Sequence, residues 1–346
     1  MRKQTAVRAR SPKWTFDKGL PTGFVVYKPL QQGAYDDQVI KDLERAGRLV
    51  ITRKRDGWKV FIWKACGRTK FYTDGLNEIE GRLDHLKIEL AKQLPDRTLL
   101  VGEAIVDDND GDQFTDVCRL MKSSRWQEIQ TETGAMKLML FEAIFWEGRC
   151  LLDLPYNTRY GILLSATAFT KQVFPTPILQ VKFEEATEYA RKHGWEGLVL
   201  YDGSFIASFR LDGKNPARLR GCYKWKPLCE DDFIVRTRIL DPKYKDRLKE
   251  VVLSQIDPVT GQEFYCGKLG SFITEMRTRL LRTPLPFVMQ VVFEDRYPSG
   301  TLRNARFERL RLDKKPKACI APKSFLRASA KKLLTTLKNA PGLANK

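Results

Sequence analysis

The stretch Ile51-Thr52-Arg53-Lys54-Arg55-Asp56-Gly57-Trp58-Lys59 decides how the chain is read. It lies between two apolar runs, Leu49-Val50-Ile51 and Val60-Phe61-Ile62-Trp63. Asp-Gly is a turn signal because glycine tolerates a positive φ, so the pattern predicts a tight hairpin that holds Lys54 at a strand end, facing a pocket. An ordinary surface hairpin with solvated charges has the same local pattern. What sets this one apart is the crowd of cations. Arg53, Arg55 and Lys59 surround Lys54, and like charges disfavour an ammonium, so the sequence predicts a lowered pKa and a nucleophilic amine. The same cations suit phosphate oxygens.

The chain has 346 residues, enough for two domains with separate cores. Its formal net charge of +19 implies a polyanionic partner, with nucleic acid first and an anionic membrane surface second. No long apolar run supports membrane insertion. The seven cysteines are scattered, without a Cys-x-x-Cys pair, and fit a reducing cytoplasm, a host cytoplasm if the protein is viral. With only two histidines, a zinc site or a histidine-based triad is excluded as the leading reading, and any metal should be a hard, oxygen-ligated ion such as Mg²⁺.

Residues 1–22 read as a basic arm able to bind nucleic acid non-specifically. Helices are expected over Asp37 to Ala46, Ile79 to Leu94 and Glu184 to His193, from apolar spacing. Thr98 to Val106 reads as a buried strand with one carboxylate, Glu103, in its middle, which is costly unless paired. Lys137 to Gly148 reads as a strand running into a turn and carrying Phe141 and Glu142, and Gly194 to Tyr201 as a strand start with an acidic residue, Glu196. Alternation puts Lys224 and Lys226 on one face of a further strand, where a solvated basic edge is the competing account. Pro227 and the acidic run Glu230-Asp231-Asp232 mark a change of composition. Beyond it, short apolar runs at Phe233 to Ile239, Phe264 to Cys266 and Phe287 to Phe293, with turn signals between them, suggest a small barrel containing a helix between Gly270 and Leu281. After Asp313 the chain has cations and no acid, and Ser324 to Lys338 has the spacing of an amphipathic helix.

Lys54-x-Asp56-Gly57-x-Lys59 resembles the first motif of the covalent nucleotidyltransferases, the superfamily of ATP-dependent DNA ligases, RNA ligases and mRNA capping enzymes. Five further stretches resemble that superfamily's motifs in the same order: Gly102-Glu103, Phe141-Glu142, Glu196-Gly197, Lys224-Trp225-Lys226 and Arg311-Leu312-Asp313-Lys314. The chain is identified on these as similar to the small two-domain viral type of ATP-dependent DNA ligase. The resemblance implies an α+β fold: an adenylation (nucleotidyltransferase) domain over 23–229, with antiparallel sheets and flanking helices, then a C-terminal OB-fold β-barrel over 230–322 and a basic tail over 323–346.

It also implies chemistry. Lys54 would take AMP from ATP, with Asp56 positioning it and Lys59, Lys224 and Lys226 stabilising charge at phosphorus. Glu103 would hold the ribose, Phe141 would stack on the purine, and Arg311 with Lys314 would orient pyrophosphate. Glu196 and Glu142 would be the metal-side carboxylates for Mg²⁺. AMP would pass to the 5′-phosphate at a nick in double-stranded DNA, and the 3′-hydroxyl would displace it, serving DNA repair, replication and recombination. A monomer with no membrane association is expected. Two departures stand out: Lys59 replaces an arginine and loses its bidentate fork, and Tyr72-Thr73-Asp74-Gly75 stands where ligases often carry an arginine that contacts phosphate. An RNA ligase or capping-type enzyme shares the first motif, and a basic nucleic-acid-binding protein without activity is the non-enzymatic alternative.

Overall fold

The computed structural model describes residues 19–322 apart from 109–110, 167–168, 215–217, 245 and 298, so most of the expected basic arm and all of the tail over 323–346 lie outside the described residues. The chain divides into two compact units between Pro227 and Leu228.

The first unit is built from two sheets. The larger has the strand order Arg149–Cys150, Lys137–Trp146, Thr98–Ile105, Trp58–Ala65, Arg68–Thr73, all antiparallel, with Val173–Pro175 added in parallel to Lys137–Trp146. The smaller runs Lys28–Leu30, Arg218–Trp225, Gly197–Asp202, Leu49–Lys54. Period-2 alternation in the smaller sheet gives it two faces. Ile51, Leu198, Leu200, Tyr223 and Trp225 point outward into a core shared with Ile40 and Leu43 of the helix Asp37–Arg45 and with Ala186 and Ala190 of the helix Phe183–Lys192. Their neighbours Val50, Tyr201 and Cys222 point the other way, into the main core with the larger sheet. Asp36 starts the first of these helices by accepting from the Gln38 amide, as an N-cap aspartate does.

The Lys54 hairpin does not exist. Leu49–Lys54 pairs with Gly197–Asp202 in one sheet, and Trp58–Ala65 pairs with its neighbours in the other, so Asp56-Gly57 is a crossover between sheets. Gly57 is not in the left-handed region either. A Cβ there would lie 2.4 Å from the Ala104 carbonyl oxygen and 2.7 Å from Glu103 Cγ, so the glycine is required by close approach, not by a turn. The connection therefore presses the Lys54 segment against the strand that carries Glu103.

The second unit is a five-stranded antiparallel sheet, ordered Glu263–Leu269, Leu248–Ile256, Cys229–Leu240, Phe287–Phe293, Arg306–Leu310, with the helix Thr274–Arg282. Three of its strands, Cys229–Leu240, Glu263–Leu269 and Phe287–Phe293, fall on the apolar runs read from the sequence, whereas Leu248–Ile256 and Arg306–Leu310 lie outside them. The expected barrel is not closed, because among the described residues no pairing joins the sheet's two edge strands.

Candidate active site

Between the two sheets of the first unit lies a cleft of about 290 Å³, lined on one side by Lys59, Val101, Glu103, Met139 and Phe141, and on the other by Thr52, Lys54, Val199, Tyr201 and Lys224. Register explains the grouping. Lys59 pairs with Glu103 and Glu103 with Met139, so their side chains stand in one row across the larger sheet. Gly197 pairs with Lys54 and Val199 with Thr52 across the smaller one. A Cβ on Gly197 would sit 2.1 Å from the Trp225 carbonyl oxygen, so only glycine lets these strands approach beside Glu196. Phe141 falls at a break in register, between Leu140 opposite Gly102 and Glu142 opposite Val101. A bulge of this kind re-aims a side chain, and the half-buried Phe141 ring is bared to the cleft. Tyr201, whose role the sequence left open, stacks flat on Tyr156 with ring centroids 3.8 Å apart and so stiffens the cleft floor.

The charges are arranged around one carboxylate. Glu196 accepts from Lys54 Nζ and, at 2.9 Å, from Lys226 Nζ, while exposing only 9 % of its side chain. Burial alone would push the Lys54 ammonium down, but Glu196, Glu103 and Asp56 together outweigh it, and its pKa stands above the ordinary lysine value. This reverses the sequence-based expectation. Arg53, next in the chain to Lys54, has its guanidinium 4.8 Å from the centre of the Trp195 ring, and the acids that raise Lys54 are Glu196 and Glu103, from distant segments, and Asp56 from its own. The amine that is pushed down is Lys224, to about 8, first by burial and then by the charge of Lys54. Burial raises Glu103 to about 7, with Lys54 pulling it back and Glu196 pushing it further.

At the cleft rim Asp74 accepts from Lys59 Nζ at 2.8 Å and from Lys28 Nζ at 2.7 Å. Burial would raise its carboxyl, but these two cations hold it at about 2. Asp74 was read from the sequence only as a missing phosphate contact. It is a clasp that ties Lys59 to the strand Lys28–Leu30, and the one signal for it was an acid in a turn between lysine-bearing segments.

Glu142 does not offer the open carboxylate expected of a metal-side residue. It is 2 % exposed, Arg159 donates to it through Nε at 2.9 Å and Nη2 at 2.8 Å, and the Tyr27 hydroxyl donates at 2.7 Å. Its lone pairs are occupied inside a buried ion pair. Arg311 and Lys314 belong to the second unit, where Asp232 accepts from both.

Two mostly antiparallel sheets with flanking helices and a lysine-centred cleft between them define a nucleotidyltransferase-like α+β protein. Solved structures share this fold: a Lig E DNA ligase, with a TM-score of 0.60 at 17 % identity, covering 83 % of this chain and 99 % of that one, and the structure named Pmar-Lig_Pre., with a TM-score of 0.61 at 17 % identity, covering 83 % and 68 %. Residues 34–211 match the ATP dependent DNA ligase domain, and the chain belongs to that family. It is 27 % identical to a DNA ligase of Methanothrix thermoacetophila over 66 % of this chain and 42 % of the relative. To a DNA ligase of Thermococcus fumicolans it is 26 % identical, over 80 % and 54 %. The chain thus spans about half the length of these relatives.

An amine held protonated above its usual range must lose a proton before it can attack. Between pH 7 and 8, before Lys224 has lost most of its charge, the neutral fraction of Lys54 grows about tenfold, so the single-turnover rate of adduct formation should rise with a log slope near one. A rate that is flat over this interval, followed by intact mass against time, would contradict the assignment of Lys54 as the attacking group.

Proposed function

We propose that the protein is an ATP-dependent DNA ligase that seals 5′-phosphate/3′-hydroxyl nicks in duplex DNA. The observation that carries the reading is Lys54 in a cleft lined also by Lys224, Glu103 and Phe141, with Glu196 bridging Lys54 to Lys226 behind it. Lys54 Nζ attacks the α-phosphorus of ATP. The new N–P bond replaces the P–O bond to the β-phosphate, pyrophosphate leaves, and the amine gives up a proton. The 5′-phosphate of the nick then takes AMP from Lys54, and the 3′-hydroxyl attacks that phosphorus, forms the phosphodiester and releases AMP.

Each residue has a task that fits its surroundings. Glu196, already bonded to the ammonium, orients Lys54, and Asp56 acts on it through charge. Phe141 offers its bared ring to the purine. Lys224, Lys226 and Lys59 supply positive charge to phosphate oxygens. Arg311 and Lys314 orient the leaving pyrophosphate, and the second unit is read as an OB-fold that grips the duplex. The domains proposed are 23–229 and 230–322, with nicked DNA as partner and a monomer as the acting form.

The family implies Mg²⁺, and the donor set suits it. Two carboxylates, Glu196 and Glu103, stand close enough in the cleft to act on one another, and Mg²⁺ is commonly held by one or two carboxylates together with the phosphates of its substrate. Glu196 and Glu103, whose charges oppose one another in the cleft, would hold it in place of the Glu196–Glu142 pair read from sequence. When bound, it supplies charge neutralisation at the triphosphate.

The test is to incubate the protein with Mg²⁺ and either ATP or GTP, read the intact mass, and then add nicked duplexes of DNA or RNA. An AMP adduct followed by sealing of nicked DNA is expected. A GMP adduct, or sealing confined to RNA, would overturn the assignment, as would the absence of any adduct.

A further inference from the structure

At one end of the cleft, just past the strand Val173–Pro175, Thr176 is 1 % exposed and its Oγ1 has no hydrogen-bond partner among the described residues. Its main-chain groups are both engaged: the amide donates to the Leu140 carbonyl at 2.7 Å, and the carbonyl accepts from the Tyr160 hydroxyl. What remains is the side chain. A buried hydroxyl without a partner is costly, and native proteins keep few of them. The other hydroxyls that line the cleft are spent: Tyr27 on Glu142, Thr52 on the Val199 carbonyl at 3.1 Å, and Tyr201 on Cys222.

Strand register orders the cleft from one end to the other. Lys59, Glu103 and Met139 stand in one row on neighbouring strands, and Phe174 continues the row beyond Met139. Alternation puts Thr176, two residues on, on the same face, about 14 Å from Lys59 at three strand spacings. Its amide bond to Leu140 sets it beside the bared ring of Phe141. The segment that follows crosses to the smaller sheet, where the Leu179 amide donates to the Ile51 carbonyl at 2.8 Å and so closes this end. With phosphate at Lys59 and ribose at Glu103, a purine stacked on Phe141 turns toward Thr176 the edge furthest from its sugar. In adenine that edge carries N1, an acceptor, and the N6 amino group, a donor. No bond holds the Thr176 hydroxyl where it is, and one χ1 step exchanges Oγ1 with Cγ2, so it can turn to the base without losing a partner.

We propose that Thr176 is the residue that reads the base of the nucleotide, its hydroxyl donating to N1 of the adenine that stacks on Phe141. The proposal rests on the ligase reading and assigns the selection of the base within it. The hydroxyl stays unpaired in the free protein and makes its bond when the nucleotide arrives. Its loss therefore weakens binding and leaves the transfer to Lys54 alone.

The experiment uses the full chain with Mg²⁺ and compares ATP with 1-deaza-ATP, in which C–H replaces N1, in adduct formation followed by intact mass. Thr176→Val keeps the shape of the side chain and removes the hydroxyl. It should raise the KM for ATP about 3–10-fold, the worth of one hydrogen bond, and leave the limiting rate within about twofold. Wild type should prefer ATP to 1-deaza-ATP by a similar factor, whereas Thr176→Val should treat the two alike. The melting temperature of Thr176→Val should equal or exceed that of wild type, because the hydroxyl has no partner to lose. Thr98→Val is the control: it removes another buried hydroxyl without a partner, one that does not line the cleft, and should match wild type with both nucleotides. A Thr176→Val protein with the wild-type KM for ATP, with the wild-type preference for ATP over the analogue, or with a lower melting temperature would overturn the proposal. A wild-type protein that forms no adduct with ATP would overturn the ligase reading instead.

Discussion

Lys54→Arg should form no AMP adduct and should seal an ordinary nick from ATP at least about 10⁴-fold more slowly than wild type. Arginine is the sharper substitution because its guanidinium stays protonated at any working pH. It can keep the contact with Glu196 and the charge balance of the cleft, so what it removes is the proposed nucleophile. Lys226 remains on Glu196 at 2.9 Å, which leaves that buried carboxylate paired. The melting temperature should therefore change little. A nick supplied with AMP already attached needs no attack by this amine, and its sealing should stay within about tenfold of wild type. The measurement is intact mass after incubation with ATP and Mg²⁺, alongside sealing of both nicks. An adduct on Lys54→Arg equal to that on wild type would assign the nucleophile elsewhere.

The strands that carry Glu103, Phe141 and Lys224, and the strand that follows Glu196, were legible, because apolar alternation is a local property and each run is bounded by turn residues. Which strands pair was not. Asp56-Gly57 has the composition of a hairpin, yet the flanking strands enter different sheets, and the reason for the glycine is a contact with Glu103 and Ala104 that no local rule contains. The pKa of Lys54 went wrong for the same reason. Its chain neighbours are cations, but a strand turns adjacent side chains to opposite faces, and the groups that decide its charge, Glu196 and Glu103, come from distant segments. Asp74 and Asp232 were visible only as acids near turns. Each gains its meaning from two cations delivered by other strands or turns. Barrel closure in the second unit depends on pairing between edge strands, which local apolar runs do not specify.

Arg159→Met should be the most destabilising single substitution of the first unit. The guanidinium is fully buried and binds Glu142 through two nitrogens, while Nη1 also donates to the Phe205 carbonyl at 2.9 Å. Removing it strands a carboxylate that is 2 % exposed with only the Tyr27 hydroxyl and the Ala143 amide as donors. Breaking a buried pair from one side costs about 3–5 kcal/mol, a large part of the roughly 5–15 kcal/mol that holds a domain folded. The double variant Glu142→Met with Arg159→Met leaves no orphaned charge and should recover much of that loss, because the desolvation of both ions disappears with them. Urea denaturation of the two single variants and the double one gives the coupling directly. The pair also has a consequence for the cleft, since Glu142 follows Phe141 at the bulge and pins the strand where the ring turns inward. A double variant that folds should therefore bind ATP more weakly, read as a raised KM for adduct formation with little change in the limiting rate. A double variant no more stable than Arg159→Met alone would mean that packing volume, not the ion pair, holds this part of the unit together.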